Sequence, residues 1–161
     1  NSLPHGVAED LAGILQDATE QDYLKRSRRY FSELERWLAA NHGALYLQHE
    51  AIAATIIEGI AHYEQLGYWH ATAAVVMPNH IHAFFRCGTL GLSQVMKRFK
   101  QYTAREANRM LGRKGRRFWQ REWFDHWSRS TQEDERIVSY IQNNPVRAGL
   151  VKRPEDWKWR K

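Results

Sequence analysis

The apolar residues of this 161-residue chain change their period near Gly67, and that change confines the fold more than any other feature. Before it the spacing is helical. Val7, Leu11, Ile14 and Leu15 follow Pro4, which suits a helix start. Between Tyr30 and Ala40, Phe31, Leu34, Trp37 and Leu38 form one stripe, and Asn41-His42-Gly43 stops it. Ile52, Ile56, Ile60 and Tyr63 mark a third helix, which Gly67 ends. From Tyr68 to Met77 the chain is aromatic, β-branched and alanine-rich, without helix caps. Met77-Pro78-Asn79 is a turn signal, and His80 to Arg86 is again extended. Two extended runs around a tight turn make a β-hairpin.

The helical period then returns. Leu92 to Leu111 places Leu92, Val95, Met96, Phe99, Thr103, Ala107 and Met110 on one stripe, with Lys97, Gln101, Arg105 and Arg109 on another face. A basic loop follows, Arg113-Lys114-Gly115-Arg116-Arg117. Phe118 to Arg129 is Trp-rich and reads as a strand. Ser130 or Thr131 caps a last helix whose first turn holds Glu133, Asp134 and Glu135. That helix is expected to end at Asn144, because Pro145 disfavours helical geometry in the residue before it. The basic, aromatic tail at Trp157–Lys161 is expected to fray or pack loosely. The order implies one α+β domain over 1–161, an antiparallel sheet with helices on one face. Its parts are a helical N-terminal region (1–67), a hairpin, basic helix, strand and final helix (68–144), and a tail (145–161).

The net charge of +6 is unevenly spread. Residues 1–68 carry five basic and ten acidic side chains, whereas 88–130 carry eleven basic and three acidic. A basic half opposed to an acidic half suits a polyanion docking on one face. A solvated basic helix that binds nothing is the plain alternative. No apolar run reaches the roughly 18 residues that cross a bilayer, so no membrane partner is expected. No secretion signal opens the chain. The one cysteine, Cys87, cannot form an internal disulfide, and it reads as core. A bacterial cytoplasmic protein is the default these features leave. With no Gly-rich phosphate loop, no nucleotide cofactor is expected.

Two constellations can carry chemistry. His80 and His82 lie two apart in an extended run, on one face, with Cα atoms about 7 Å apart. Two imidazoles there can converge on a metal ion, or they can be polar residues on a solvated sheet face. Tyr140 and Asn144 lie four apart on the last helix and share a face. A phenol with a free pKa of about 10 is a poor nucleophile, but it serves where a metal ion activates a phosphate. Asn144 offers an amide oxygen as a further ligand. Packing explains a helical Tyr equally well, and helix termination explains Asn before Pro. Asp125-His126 is weaker, since adjacent strand residues face opposite sides. His42, His49, His62 and His70 show no ligand spacing.

Three strings fall in order along the chain. They are Val75-Val76-Met77-Pro78-Asn79-His80-Ile81-His82, Phe118-Trp119-Gln120-Arg121-Glu122-Trp123-Phe124-Asp125-His126, and Tyr140-Ile141-Gln142-Asn143-Asn144-Pro145-Val146-Arg147-Ala148-Gly149-Leu150. Together they resemble the REP-associated tyrosine transposases, which carry the His-hydrophobic-His motif of single-tyrosine HUH enzymes. The resemblance covers about residues 45–152. It implies a ferredoxin-like HUH endonuclease fold. It implies that His80 and His82 bind Mg²⁺ or Mn²⁺, with Asn144 completing the site. It implies that Tyr140 attacks single-stranded DNA beside a palindromic hairpin, leaving a 5′-phosphotyrosine and a free 3′-OH. Lys97, Arg98, Lys100, Arg105, Arg109, Arg113, Lys114, Arg116, Arg117 and Arg121 would then hold the DNA backbone, in a monomer or a homodimer. The family also places a strand before its first helix. This sequence starts at Asn1-Ser2-Leu3-Pro4, so the sheet is expected to lack that strand.

Three rivals stay open. One is a domesticated protein of the same fold that binds DNA hairpins without cutting. Another is a zinc hydrolase, which needs one more His, Asp, Glu or Cys ligand beside His80 and His82. The third is a structural RNA-binding domain.

Overall fold

A computed structural model describes residues 20–39, 44–120 and 123–161. The expected helix near Val7–Leu15, the Asn41-His42-Gly43 stop, Arg121 and the question of a strand before Asn1 lie outside these residues. Helix α1 spans Glu20–Ala39, α2 Glu50–Gln65, β1 Trp69–Val76, β2 Ile81–Cys87, α3 Leu92–Met110 and α4 Thr131–Arg147. The α+β class holds, with an antiparallel β1–β2 pair. α1 begins ten residues before the expected Tyr30, because Glu20 to Arg29 is rich in strong helix formers that show no apolar stripe.

A bulge in β1 decides which side chains face where. Trp69 and Ala71 oppose Cys87 and Phe85; the register then slips at Thr72, and Ala73 opposes Phe84. The extra residue swaps the parity of the faces. Trp69, Ala71, Ala74 and Val76 therefore share one core with Ile52, Ile56 and Ile60 of α2 and Val95 and Phe99 of α3. Ala73, Val75 and Met77 turn to the other side and pack with Ile137, Tyr140 and Ile141 of α4. Helices thus cover both faces of the hairpin, not one.

The open end of the hairpin closes by close backbone approach. The amides of Gly88 and Thr89 donate to the carbonyls of Tyr68 and Gly67, both at 2.9 Å. A Cβ on Gly88 would lie 2.0 Å from the Gly67 oxygen, so no side chain fits there.

Three further expectations fail. Residues 118–129 do not form a strand among those described; they run as irregular chain. Three of their aromatic rings anchor in different directions, which no strand alternation provides, while Trp127 stays exposed. Phe118 stacks on Tyr46 with centroids 5.9 Å apart, and the Trp119 indole donates to the Thr103 hydroxyl at 2.9 Å. Phe124 packs on Tyr30 and Phe31 of α1 at 5.4 and 5.2 Å. The strand preference of aromatic residues yields here to these separate packing sites.

Nor does α4 stop at Asn144. It runs on to Arg147 with the fully buried Pro145 inside it. Gly149, at φ +69°, ends it instead. The Gly149 amide donates to Val146 and the Leu150 amide to Pro145, each at 2.9 Å, the pairing of a glycine-terminated helix.

The tail, finally, is not loose. Lys161 and Ala74 exchange backbone hydrogen bonds of 2.8 and 3.1 Å, and the Val76 amide donates to the Trp159 carbonyl at 2.9 Å. The Trp157 indole adds a bond of 3.1 Å to the Val76 carbonyl. The tail thereby covers the β1 edge that β2 leaves open. Deleting residues 157–161 removes these bonds, each worth about 1 kcal/mol net. Four such bonds make about 4 kcal/mol, so the thermal midpoint should fall by about 8–16 °C. An unchanged midpoint would show that the tail does not support the sheet.

Candidate functional site

His80 and His82 sit where the hairpin turns. Pro78 and Asn79 connect the strands, and the Met77 amide donates to the His80 carbonyl at 2.8 Å. His82 pairs with Val75 of β1, and the two imidazoles lie on one face as strand alternation requires. Their Nε2 atoms are 3.0 Å apart. That is the separation of neighbouring ligands bound about 2.1 Å from one ion.

The buried Asn79 side chain fixes this arrangement. Its Nδ2 donates to the Leu38 carbonyl of α1 at 2.9 Å, and its Oδ1 lies 2.7 Å from His80 Nδ1. With Oδ1 accepting, the His80 proton belongs on Nδ1 and the Nε2 lone pair is free to bind. Burial pushes His80 well below its usual pKa of 6.5, and the neighbouring His82 adds to this. Burial also lowers His82, with Arg147 adding and Glu35 opposing. Both rings are therefore held neutral, the form that ligates metal.

Glu35 of α1 completes the cluster, and sequence reasoning missed it. Its Oε1 lies 3.3 Å from His82 Nε2, and ligand atoms of Glu35, His80 and His82 all fall within 4.8 Å of one another. Oε1 is buried without a hydrogen bond, so the carboxylate leaves an acceptor aimed at the imidazoles unsatisfied. An unpaired buried carboxylate oxygen beside two neutral imidazoles fits a divalent cation. The available signal was Glu35 standing one turn beyond Phe31, with Leu34 and Leu38 beside it. Phe31 lies over the same cluster, 6.4 Å from the His82 ring and 5.4 Å from the Tyr140 ring.

Tyr140 is drawn into this group. Its hydroxyl donates to Glu35 Oε2, and its ring meets the His82 ring edge-on at 5.7 Å. Burial raises its pKa above the usual 10; the Glu35 hydrogen bond and charge add to this, while a hydrogen bond with Asn144 and the charge of Arg147 oppose it. Asn144 is 7% exposed, a turn further along the same face. The Arg147 guanidinium lies 4.9 Å above the Tyr140 ring. A groove of about 440 Å³ opens beside Tyr140, lined also by Glu135, Arg136, Ser139, Asn143 and Arg147. Neither arginine was singled out from sequence.

The structure does not bring the expected basic residues to this cluster. α3 packs on the opposite face of the hairpin, through Val95, Phe99 and Ala107. Lys97, Arg98, Arg105, Arg109, Lys114, Arg116 and Arg117 are exposed there. Arg105 and Arg109 both pair with Glu106 at 3.1 Å. Lys100 is engaged by the Gln120 carbonyl and the Trp123 ring. Arg113 lies half-buried over the Tyr46 ring at 4.4 Å. His126 pairs with Glu133 at 2.8 Å, not with Asp125.

A family model described as Transposase IS200 like matches residues 40–144, and the chain belongs to that family. Membership makes DNA its partner class and DNA transposition its chemistry. No curated protein and no solved structure matches it. No helix among the described residues is long and apolar enough to cross a membrane.

The neutral histidines make stability depend on pH. His80 has a folded pKa below 6.5, so the unfolded chain binds the proton first. Stability should therefore fall as pH drops below about 6.5. The lowered Glu64, Glu106 and Glu133 act further down, below about 4.5. Urea unfolding at pH 7.5 and 5.5 should show a lower midpoint at 5.5, and His80→Gln should shrink the difference. Equal pH dependence in the variant would place the titrating group elsewhere.

Proposed function

We propose that this protein cleaves single-stranded DNA by attack of the Tyr140 hydroxyl on a phosphodiester beside a palindromic, REP-like hairpin. The observation that carries this reading is the convergence of that hydroxyl with His80, His82 and Glu35, beside a groove lined by Arg136 and Arg147 together with Glu135. Arg136 and Arg147 would hold the phosphate. The Tyr140 oxygen forms the new bond to phosphorus as the bond to the 3′-oxygen breaks. The phenol proton passes towards Glu35 Oε2, which already accepts it in a hydrogen bond, and the departing 3′-oxygen leaves as 3′-OH after protonation. The 5′-phosphotyrosine stores the bond energy for rejoining.

His80 and His82, with Glu35 and Asn144, would hold Mg²⁺ or Mn²⁺. When bound, such an ion supplies charge neutralisation at the scissile phosphate. Glu35 also supplies the carboxylate that a zinc hydrolase would need, but family membership favours the DNA reaction. Exposed Lys97, Lys114, Arg116 and Arg117 would hold the flanking backbone around the far side of the hairpin. A non-cleaving hairpin-binding protein is favoured by one observation, the raised proton affinity of Tyr140.

Tyr140→Phe separates these readings. It removes one oxygen and keeps the ring contacts, so it should bind single-stranded DNA within about twofold of wild type and cut nothing. Wild type with Mn²⁺ should leave a protein–DNA adduct that survives denaturation. Cleavage by Tyr140→Phe at the wild-type rate would reject Tyr140 as the nucleophile, and no adduct at any time would favour the non-cleaving protein.

Glu35→Gln keeps the shape and removes the charge. Titration calorimetry should show Mn²⁺ affinity reduced by about tenfold or more. Unchanged affinity would remove Glu35 from the ligand set. A preference for Zn²⁺ over Mn²⁺ in wild type would favour the hydrolase.

A further inference from the structure

On the face of the hairpin remote from Tyr140, a hollow of about 670 Å³ opens between the C-terminal end of α2 and the outer side of α3. Its walls include Tyr63, Tyr68 and Tyr102 together with Arg98, Gln101 and Arg105, and none of the described residues lining it is acidic. Two of the rings carry guanidinium groups. Arg98 lies 5.6 Å from the Tyr68 ring and donates to its hydroxyl at 3.4 Å, and Arg105 lies 5.8 Å from the Tyr102 ring. The rings are set firmly. Tyr63 is 8% exposed and meets Tyr68 edge-on at 5.6 Å. Tyr102 lies against Gly59 of α2, where an added Cβ would stand 3.5 Å from its Cε1.

We infer that this hollow binds one unpaired nucleotide of the DNA strand, its base against the tyrosine rings and its phosphate on Arg98 and Arg105. Aromatic faces stack on any base, and guanidinium groups take up phosphate. A ligand offering a flat ring and a negative charge matches this wall of phenols and arginines; Glu106 pairs with Arg105 Nε at 3.1 Å without lining the hollow. The volume falls within the range of small-ligand sites, about 300–1,000 Å³. Gln101 adds an amide able to hydrogen-bond a base edge. The hollow would anchor the strand away from the cleavage cluster, on the face that carries the exposed lysines and arginines of α3. The inference rests on the proposed use of single-stranded DNA, but not on cleavage by Tyr140.

The test uses the full chain and a short oligothymidylate carrying one 5-iododeoxyuridine. Photocrosslinking followed by peptide mapping should find the adduct on Tyr68 or Tyr102. Tyr102→Leu should weaken binding about fivefold or more, the loss of one stacking contact, and Tyr102→Phe should restore it. Arg98→Ala with Arg105→Ala changes two exposed side chains, and it should lower the log–log salt slope by about 0.7, one phosphate of a single strand. Crosslinks confined to other residues, with Tyr102→Leu binding as wild type, would overturn the site while leaving DNA binding intact. Wild type without affinity for the oligonucleotide would overturn it together with the proposed function. Loss of binding in the pocket variants alongside a wild type that forms no covalent adduct would uphold the site and reject the cleavage reading alone.

Discussion

The Asn79 side chain touches two elements whose relative position assembles the cluster of Glu35, His80, His82 and Tyr140. Its Nδ2 holds the Leu38 carbonyl near the end of α1, and its Oδ1 meets His80 Nδ1. A buried amide left unpaired costs about 1–3 kcal/mol, so both bonds must form together. The first sets α1 against the hairpin turn. Because Phe31 and Glu35 lie on that helix one turn apart, both come over His82 and Tyr140. The second bond decides which nitrogen of His80 bears the proton. One side chain in a turn therefore orients both the His80 ring and the helix that brings the carboxylate.

The bulge at Thr72 matters in the same way. Without it the residues after Ala71 would keep their parity, and Val75 would face α2 and α3. With it, Val75 and its partner His82 face α4, where Tyr140 lies. The hairpin then separates two surfaces. The cluster of titratable groups and its groove occupy one; the basic helix α3 occupies the other. A DNA strand that touched both would have to pass around the hairpin. This differs from a single basic trough leading to a nucleophile, and it explains why the positive charge of α3 leaves the pKa values of His80 and His82 to burial and near neighbours.

Much of this was legible in the residues. The hairpin, its turn, the shared face of His80 and His82, the amphipathic α3 and the Ser130 cap, whose hydroxyl accepts from the Glu133 amide at 3.2 Å, all follow local rules. So does the shared face of Tyr140 and Asn144. What was not legible depends on contacts between distant parts of the chain. The Trp-rich run at 118–129 has the composition of a strand, yet its rings find three separate partners. Pro145 normally disfavours the helix before it, at a cost of about 3 kcal/mol in a helix interior, but burial of its ring and the Gly149 terminator carry α4 another turn. Pairing of the tail with β1 needed a free edge, which no local pattern announces. Glu35 was hidden because a helical carboxylate usually faces water. Its partners lie 45 or more residues downstream, in the hairpin and in α4.

Glu35 also sets the electrostatic problem that this site has to solve. Its Oε2 holds the Tyr140 proton, while its charge and the surrounding burial make that proton harder to lose. A hydrogen-bond acceptor in the right place is thus also a brake. The brake is released by positive charge near the carboxylate. At an effective dielectric constant of about 20, an opposite unit charge about 4 Å away is worth about 4 kcal/mol. That is enough to offset one carboxylate. Arg147 supplies part of it from above the Tyr140 ring, and it reaches that position because α4 continues past Pro145. A divalent cation between Glu35 and the imidazoles would supply the larger part, neutralising the Oε1 that the protein leaves without a partner. The same carboxylate that suppresses ionisation of Tyr140 is therefore the group through which a bound cation would restore it. Cation binding at Glu35 and ionisation of Tyr140 would thus be linked through two oxygens of one side chain.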